Sequence, residues 1–283
     1  VLLGEVWADG ATIARFLRGD GLNSAFDFPV YHLLSGSSPE RNGDGLLAGA
    51  GDINPLGTMI RAIENQKGQF AVMARFVSNH DTNRIMSEVN GDMARARAAA
   101  VWTLTAPGVP FIYYGEEIGM KGVKGTGPSY YDEYRREPLD WYKAETGPGM
   151  TRWFRVADRA NRPDDGVSVE EQDGAPNSLL ALYRELGALR RESPALQRGD
   201  FAIERDVPLY VLRRWTNNEL FIVVINFYRT PQVLTGLSAY AKLGGGLDFA
   251  SEPTLIAQQD AQFEGDVLRL GAAGFVVLRY GVR

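Results

Sequence analysis

The chain has 283 residues, 45% of them hydrophobic, with 30 basic and 35 acidic side chains and a formal charge of −5. That is enough for one large domain and a small one, and the absence of any basic stripe argues against nucleic acid as a partner. There are no cysteines and only two histidines, His32 and His80, which excludes disulfides, zinc–thiolate sites and cysteine nucleophiles. The longest strongly apolar run, residues 220–227, is too short to span a bilayer, so no membrane segment is expected.

The chain opens on Val1 directly in an apolar run, residues 1–7, with no signal peptide or initiator methionine. It reads as the first strand of a fragment that lacks its front half. The run holds one carboxylate, Glu5, beside Trp7. An unpaired charge buried there would be costly, so Glu5 needs a reason. A short helix is expected over residues 12–18 and a strand over 22–28, running on into Phe28-Pro29-Val30. Residues 36–51 are rich in glycine and serine and read as a loop. Within it, Asn42-Gly43-Asp44-Gly45 lacks EF-hand spacing and reads as a turn, not a calcium loop.

A helix is expected over residues 54–66, with Leu56, Ile60 and Ile63 on one face and Gly68 ending it. The next strand runs through Val72, Met73, Phe76 and Val77 and then turns polar: Asn79, His80, Asp81 and Arg84 fall within six positions. A strand ending in such a cluster reads as the mouth of a barrel. Asp92 caps a helix to about Thr105, Pro107-Gly108 stops it, and residues 109–114 read as another buried strand. Polar residues stand just past the end of each of four strands: Glu5, Asp27, His80 with Asp81, and Glu116 with Glu117. Strand, helix, strand at this rhythm argues for parallel βα units, in an open sheet or a closed barrel.

Residues 121–172 are aperiodic and too long for a passive connection. Asn177 or Ser178 then caps a helix carrying Leu179, Leu182, Tyr183, Leu186 and Leu189, and Pro194 ends it. After Phe201 the period becomes two. Residues 209–215 and 220–227 flank Asn217-Asn218 as a hairpin, and Val233, 267–270 and 275–280 add strands. The tail, 200–283, reads as a small antiparallel β domain behind a first domain of residues 1–199.

Two carboxylates and a histidine at the ends of parallel strands suit glycoside hydrolysis, in which one carboxyl group must be kept protonated by partial burial or a like-charged neighbour. Glu5, beside Trp7, fits that description. Three segments carry a likeness: Gly4-Glu5-Val6-Trp7, the stretch from Phe76 to Asp81, and Pro107-Gly108-Val109-Pro110-Phe111-Ile112-Tyr113-Tyr114-Gly115-Glu116-Glu117-Ile118-Gly119. In order and spacing they resemble successive motifs of the α-amylase family, glycoside hydrolase family 13, over essentially the whole chain. The resemblance implies the second half, strands five to eight, of a (β/α)8 TIM barrel in residues 1–199. A C-terminal antiparallel β-sandwich in residues 200–283 would follow. It implies that Glu5 is the general acid and base, that Asp81 binds sugar hydroxyls and stabilises the oxocarbenium-like transition state, and that His80 donates hydrogen bonds to the same ring. Arg136, in Arg135-Arg136-Glu137-Pro138-Leu139-Asp140-Trp141, resembles a family arginine that reaches the site, and Trp7 is a candidate sugar platform.

The expected substrate is an α-glucan or maltooligosaccharide. No cofactor or metal is required, and the family's structural calcium would belong to the missing N-terminal part. The family nucleophile, an Asp in a Gly-x-Arg-x-Asp motif, has no counterpart in these residues, so the chain by itself is expected to be inactive. Open half-barrel edges would favour self-association. Bland roles are expected for Asn79 and Arg84 (holding the loop by hydrogen bonds and a salt bridge), His32 (structural), Glu116 and Glu117 (bracing) and Asp164-Asp165 (a solvated loop). The aromatics between Tyr130 and Trp141 form an outer sugar subsite or pack the loop. α-Glucosidase, transglycosylase and non-catalytic carbohydrate-binding readings compete with hydrolysis. A further reading takes the chain as complete and decayed, keeping family residues without chemistry.

Overall fold

The structure is a computed structural model describing residues 1–36, 45–125, 132–205, 207–242 and 252–281. Asn42, Gly43, Asp44 and Tyr130, to which the calcium and aromatic readings refer, lie outside the described residues. Strand β1 (Leu3–Gly4) is followed by α1 (Gly10–Phe16), β2 (Ser24–Phe26), α2 (Phe28–Ser35), α3 (Asn54–Gln66) and β3 (Val72–Arg75). Then come α4 (Ile85–Glu88), α5 (Met93–Thr105), β4 (Val109–Pro110), α6 (Val169–Gln172), α7 (Leu179–Glu192) and α8 (Pro194–Arg198). The tail contains β5 (Asp200–Ile203), β6 (Tyr210–Trp215), β7 (Glu219–Ile225), β8 (Gln232–Thr235), β9 (Thr254–Glu264) and β10 (Val267–Gly281).

β1 to β4 form one sheet in sequence order, every pair parallel. Helices α1 and α3 cover one face through Ile13, Leu17 and Ile63 against Ala25 and Met73. By register and alternation, Leu3, Phe26, Val72 and Val109 share the other face. That face is bare in part: Leu3 is 40%, Val72 41% and Val109 42% exposed, while Ser24 and Ala74 are buried. The apolar runs at residues 1–7 and 109–114 were expected to be buried strands. Instead only two residues of each pair with a neighbour, and Leu2, Phe111 and Ile112 are exposed as well. The reason is geometric: β1 and β4 are the two rims, each with a single partner among the described residues.

Residues 28–30 do not continue β2. Asp27 accepts a hydrogen bond from the Val30 amide at 3.2 Å, and Pro29 sits in the first turn, where its missing N–H and fixed φ suit a helix start. Asp92 caps α5 and Ser178 caps α7 through their side chains. Gly68 follows α3 where its amide meets the Leu17 carbonyl at 2.8 Å; a Cβ there would stand 2.5 Å from that oxygen. Pro194 stops α7 and also starts α8.

The tail is one hydrogen-bonded antiparallel sheet, β5-β6-β7-β10-β8, with β9 also on β10. The two expected strands 267–270 and 275–280 are a single strand whose register with β9 shifts between Leu270 and Phe275. Its first part pairs with β8 and its second with β7. The apolar side chains of the two parts, Leu268 and Leu270 with Val276 and Leu278, share one cluster with Leu220, Ile222 and Val224 of β7. On the opposite face Tyr210, Leu212, Phe221, Val223, Phe275 and Val277 join Trp102 of α5 and Leu182 and Leu186 of α7 in the main core. β9 was not foreseen; its polar alternation hides a strand.

Candidate active site

The loop after β3 is built by its own side chains. The Asn79 amide donates to Thr82 Oγ1 at 2.8 Å, the Asp81 amide to Asn79 Oδ1 at 2.9 Å, and the Ile85 amide to Ser78 Oγ at 2.8 Å. Asx-type turns of this sort fix a backbone without secondary structure. Arg84, buried beneath, donates to the Arg135 carbonyl at 3.1 Å and the Tyr114 carbonyl at 2.6 Å. Its guanidinium lies over the rings of Tyr113 and Tyr114 at 4.6 and 4.7 Å. It holds the loop, as its position suggested, but through carbonyls and aromatic faces; none of its ion pairs meets the salt-bridge distance among the described residues.

This loop carries His80 and Asp81 to the end of β1. Ligand atoms of Glu5, His80 and Asp81 all lie within 4.8 Å of one another, the one such trio of histidine or carboxylate side chains among the described residues. His80 Nε2 is 3.3 Å from Asp81 Oδ2. Arg136 comes from the excursion, donating through Nη2 to Asp81 Oδ1 at 2.8 Å and through Nε to the His80 carbonyl at 3.0 Å. Asp132, which the sequence gave no reason to single out, accepts from Arg136 at 3.1 Å and also pairs with Arg135, whose Nη1 bonds the Asp81 carbonyl. Two cations thus fasten the loop under Asp81 from below and beside it.

The Trp7 indole N–H donates to Glu5 Oε1 at 3.2 Å. Trp7 is half exposed, with its ring 4.2 Å from that of Phe28 and 5.9 Å from that of His32. It is therefore not a core residue. Glu5 is exposed, contrary to the shielded environment expected from the apolar run around it. It stands just past the end of the rim strand β1.

The other strand-end carboxylates do not join the trio. Asp27 is buried against Arg75, which also reaches Glu64 at 2.9 Å and is itself pushed down to about 9 by burial. Glu116 is buried and accepts from the Tyr183 hydroxyl of α7 at 2.7 Å; burial, with Glu117 adding repulsion, pushes its carboxyl up to about 8. Asp164 is exposed and pairs with Lys143 at 3.3 Å, and Asp165 caps nearby amides. The excursion also buries Asp140, Glu145 and Arg159. Burial pushes Asp140 and Glu145 each up to about 7, against the pull of Arg159; Glu137 and Asp165 add repulsion at Asp140, and Asp140 adds it at Glu145. The three are spread over an aperiodic stretch, so no sequence pattern announces them.

Four parallel strands backed by helices, an antiparallel sheet docked behind, and acidic, histidine and arginine side chains gathered where the strands end define a TIM-barrel-type α/β architecture with its polar site at the strand mouths. The family profile described as "Alpha amylase, catalytic domain" matches residues 1–199, and the chain belongs to the α-amylase family. It is 31% identical over 232 residues to "Alpha-amylase 3" of Dictyoglomus thermophilum, covering 81% of this chain and 43% of that one. It is 28% identical over 289 residues to "Alpha-amylase SusG" of Bacteroides thetaiotaomicron, covering 99% of this chain and 38% of that one. Among solved structures, an α-amylase from H. orenii superposes with a TM-score of 0.72 at 27% identity, covering 98% of this chain and 53% of the other. The chain spans about two fifths of the length of these curated relatives.

Proposed function

We propose that this chain carries the acid/base and sugar-clamping side of the site of a retaining α-glucan-active glycoside hydrolase, on the second half of a (β/α)8 barrel. The observation behind this reading is the convergence of Glu5, His80 and Asp81 to within 4.8 Å at the ends of β1 and β3. Family membership and the relatives' names support the substrate class.

In this reading Glu5 gives its proton to the leaving glycosidic oxygen and then takes one from the attacking water. Asp81, held by Arg136 through Oδ1 and flanked by His80 at Oδ2, is partly exposed, so in this reading its carboxylate accepts sugar hydroxyl hydrogen bonds and faces the positive charge that develops at the ring. His80 is aligned by its own backbone carbonyl's bond to Arg136 and by Asp81 Oδ2. This reading requires no metal. A retaining mechanism needs a second carboxylate about 5–5.5 Å from the acid, acting as nucleophile. No Gly-x-Arg-x-Asp motif occurs in these 283 residues. The chain alone is therefore inactive, and turnover belongs to a longer protein that supplies the nucleophile.

The test is product analysis on maltotetraose and isomaltose, with anomeric configuration followed by NMR. The 283-residue chain is expected to give no products. A longer protein carrying an upstream nucleophile is expected to hydrolyse with retention and to lose roughly 10³-fold or more in Glu5→Gln and in Asp81→Asn. Turnover by this chain alone that Glu5→Gln abolishes would refute the inactivity, and full activity in both variants of the longer protein would overturn the site.

A further inference from the structure

The trio at the strand mouths has the donor set of a metal site as well as that of acid/base chemistry. Imidazole nitrogen and carboxylate oxygen are ligands of zinc, and the chain has no cysteine to offer a softer one. One ligand atom from each of Glu5, His80 and Asp81 lies within 4.8 Å of the other two. A tetrahedral zinc ion with bonds of about 2.0–2.2 Å sets its ligands about 3.3–3.6 Å apart. His80 Nε2 and Asp81 Oδ2 already stand 3.3 Å from each other. Glu5 and His80 are exposed and Asp81 partly so, which opens all three to an ion from solvent. Glu5, free to turn, closes the remaining distance. The other strand-end carboxylates offer no such opening: Asp27 and Glu116 are buried and taken by Arg75 and Tyr183.

The neighbours of the trio do what an outer shell does for a metal. Each carboxylate has one oxygen held by a fixed donor. Arg136 Nη2 takes Asp81 Oδ1 at 2.8 Å, leaving Oδ2 beside His80, and the Trp7 indole N–H takes Glu5 Oε1 at 3.2 Å. Donors of this kind orient ligating carboxylates and are part of a metal site's design. The charge suits a cation as well. Glu5, Asp81 and Asp132 set three negative charges against the two positive ones of Arg135 and Arg136. Calcium, which takes about six to eight oxygens, is poorly served by one nitrogen and two carboxylates. We propose that Glu5, His80 and Asp81 bind one zinc ion, with the fourth position left to water, and that this ion switches the site off. A bound ion occupies the electron pairs with which Glu5 exchanges its proton and Asp81 faces the sugar, so metal and glucan exclude each other. The coordination rests on the geometry of the trio; the inhibitory role rests on the proposed function.

The experiment titrates zinc chloride into the whole chain and follows the histidine ring signals by NMR, with calorimetry alongside. The chain has two histidines, so each ring is read separately. The His80 signals are expected to move and saturate at one zinc per chain. His80→Ala is expected to lose this binding and His32→Gln to keep it. Glu5→Gln and Asp81→Asn are each expected to weaken it at least about tenfold, since loss of an outer partner alone costs that much. An excess of calcium is expected not to displace the zinc. No saturable binding, binding that follows His32, or an affinity unchanged in His80→Ala or Glu5→Gln overturns the proposal. In a longer protein that hydrolyses maltotetraose, zinc is expected to raise KM with kcat unchanged, and EDTA to reverse it. Unaltered turnover with His80 saturated by zinc overturns the inhibitory role. A longer protein without any glucan turnover refutes the proposed function instead, and the NMR and calorimetry still decide the metal.

Discussion

Glu116 shows how one buried side chain shapes the response to pH. Its carboxyl is pushed up from 4.5 to about 8 because burial beside α7 penalises the anion more than the Tyr183 hydroxyl bond rewards it. A raised carboxyl pKa in the folded state means that the fold holds the proton more tightly than the unfolded chain does. The stability it contributes is complete below about pH 4.5 and is lost as pH rises through about 8, at roughly 1.4 kcal/mol per pKa unit. Glu116→Gln keeps an acceptor for Tyr183 and cannot ionise. Wild type and Glu116→Gln are expected to melt alike near pH 5, and the variant several degrees higher at pH 9, by calorimetry across that range. A variant that is less stable at every pH would mean that the carboxylate is held charged. His80 and Asp81 were legible in the sequence because an apolar strand turns polar within six residues. The exposure of Glu5 was not, since an apolar run does not reveal whether a neighbour covers it. Nor was the partnership of Glu145, Asp140 and Arg159, whose members form a buried ion-pair cluster but share no period.

The elements are tied to one another by buried cations as much as by apolar contacts. Arg190, near the end of α7, donates to the carbonyls of Leu104 at 2.8 Å and Ala106 at 3.2 Å, where α5 ends, and to that of Gly108, just before β4. Arg214 of β6 adds a bond to the Thr105 carbonyl at 3.0 Å. The carbonyls at a helix C-terminus have no partner within the helix and carry partial negative charge, so guanidinium groups suit them. Arg190→Met fills a similar volume but strands these oxygens away from water. A loss of roughly 3 kcal/mol is expected, read from urea unfolding. A loss near zero would show that water replaces the guanidinium. Helix α5 is legible in its Asp92 cap, its alanine-rich start and the Pro107-Gly108 stop, while periodicity located α3 and α7, whose apolar faces repeat over three turns or more. It missed α2, because Phe28-Pro29-Val30 has strand-like composition and the decisive signal was an Asp cap followed by proline. It missed β9, because Gln and Asp alternate where apolar residues usually would.

At the scale of the whole molecule the parallel sheet is unevenly clothed. Helices cover one side, while Leu3, Val72, Val109 and Phe111 lie exposed on the other side or its rim, between two strands that each have a single partner among the described residues. Apolar patches and unpaired strand edges together favour association. The chain is expected to self-associate at micromolar concentration in analytical ultracentrifugation. Val109→Lys with Phe111→Lys is expected to shift it toward monomer without lowering its melting temperature. A monodisperse wild-type monomer with a sharp melt would count against an open sheet.

The seam between the strand-and-helix layer and the terminal sheet has a further consequence. Trp102, Leu182 and Leu186 on one side share a single buried apolar cluster with Tyr210, Phe221 and Val277 on the other. Such a tail is not a bead that recombination can unclip and exchange. A gene fusion joined near residue 200 would inherit half an apolar seam, and only a partner bearing the matching relief could close it.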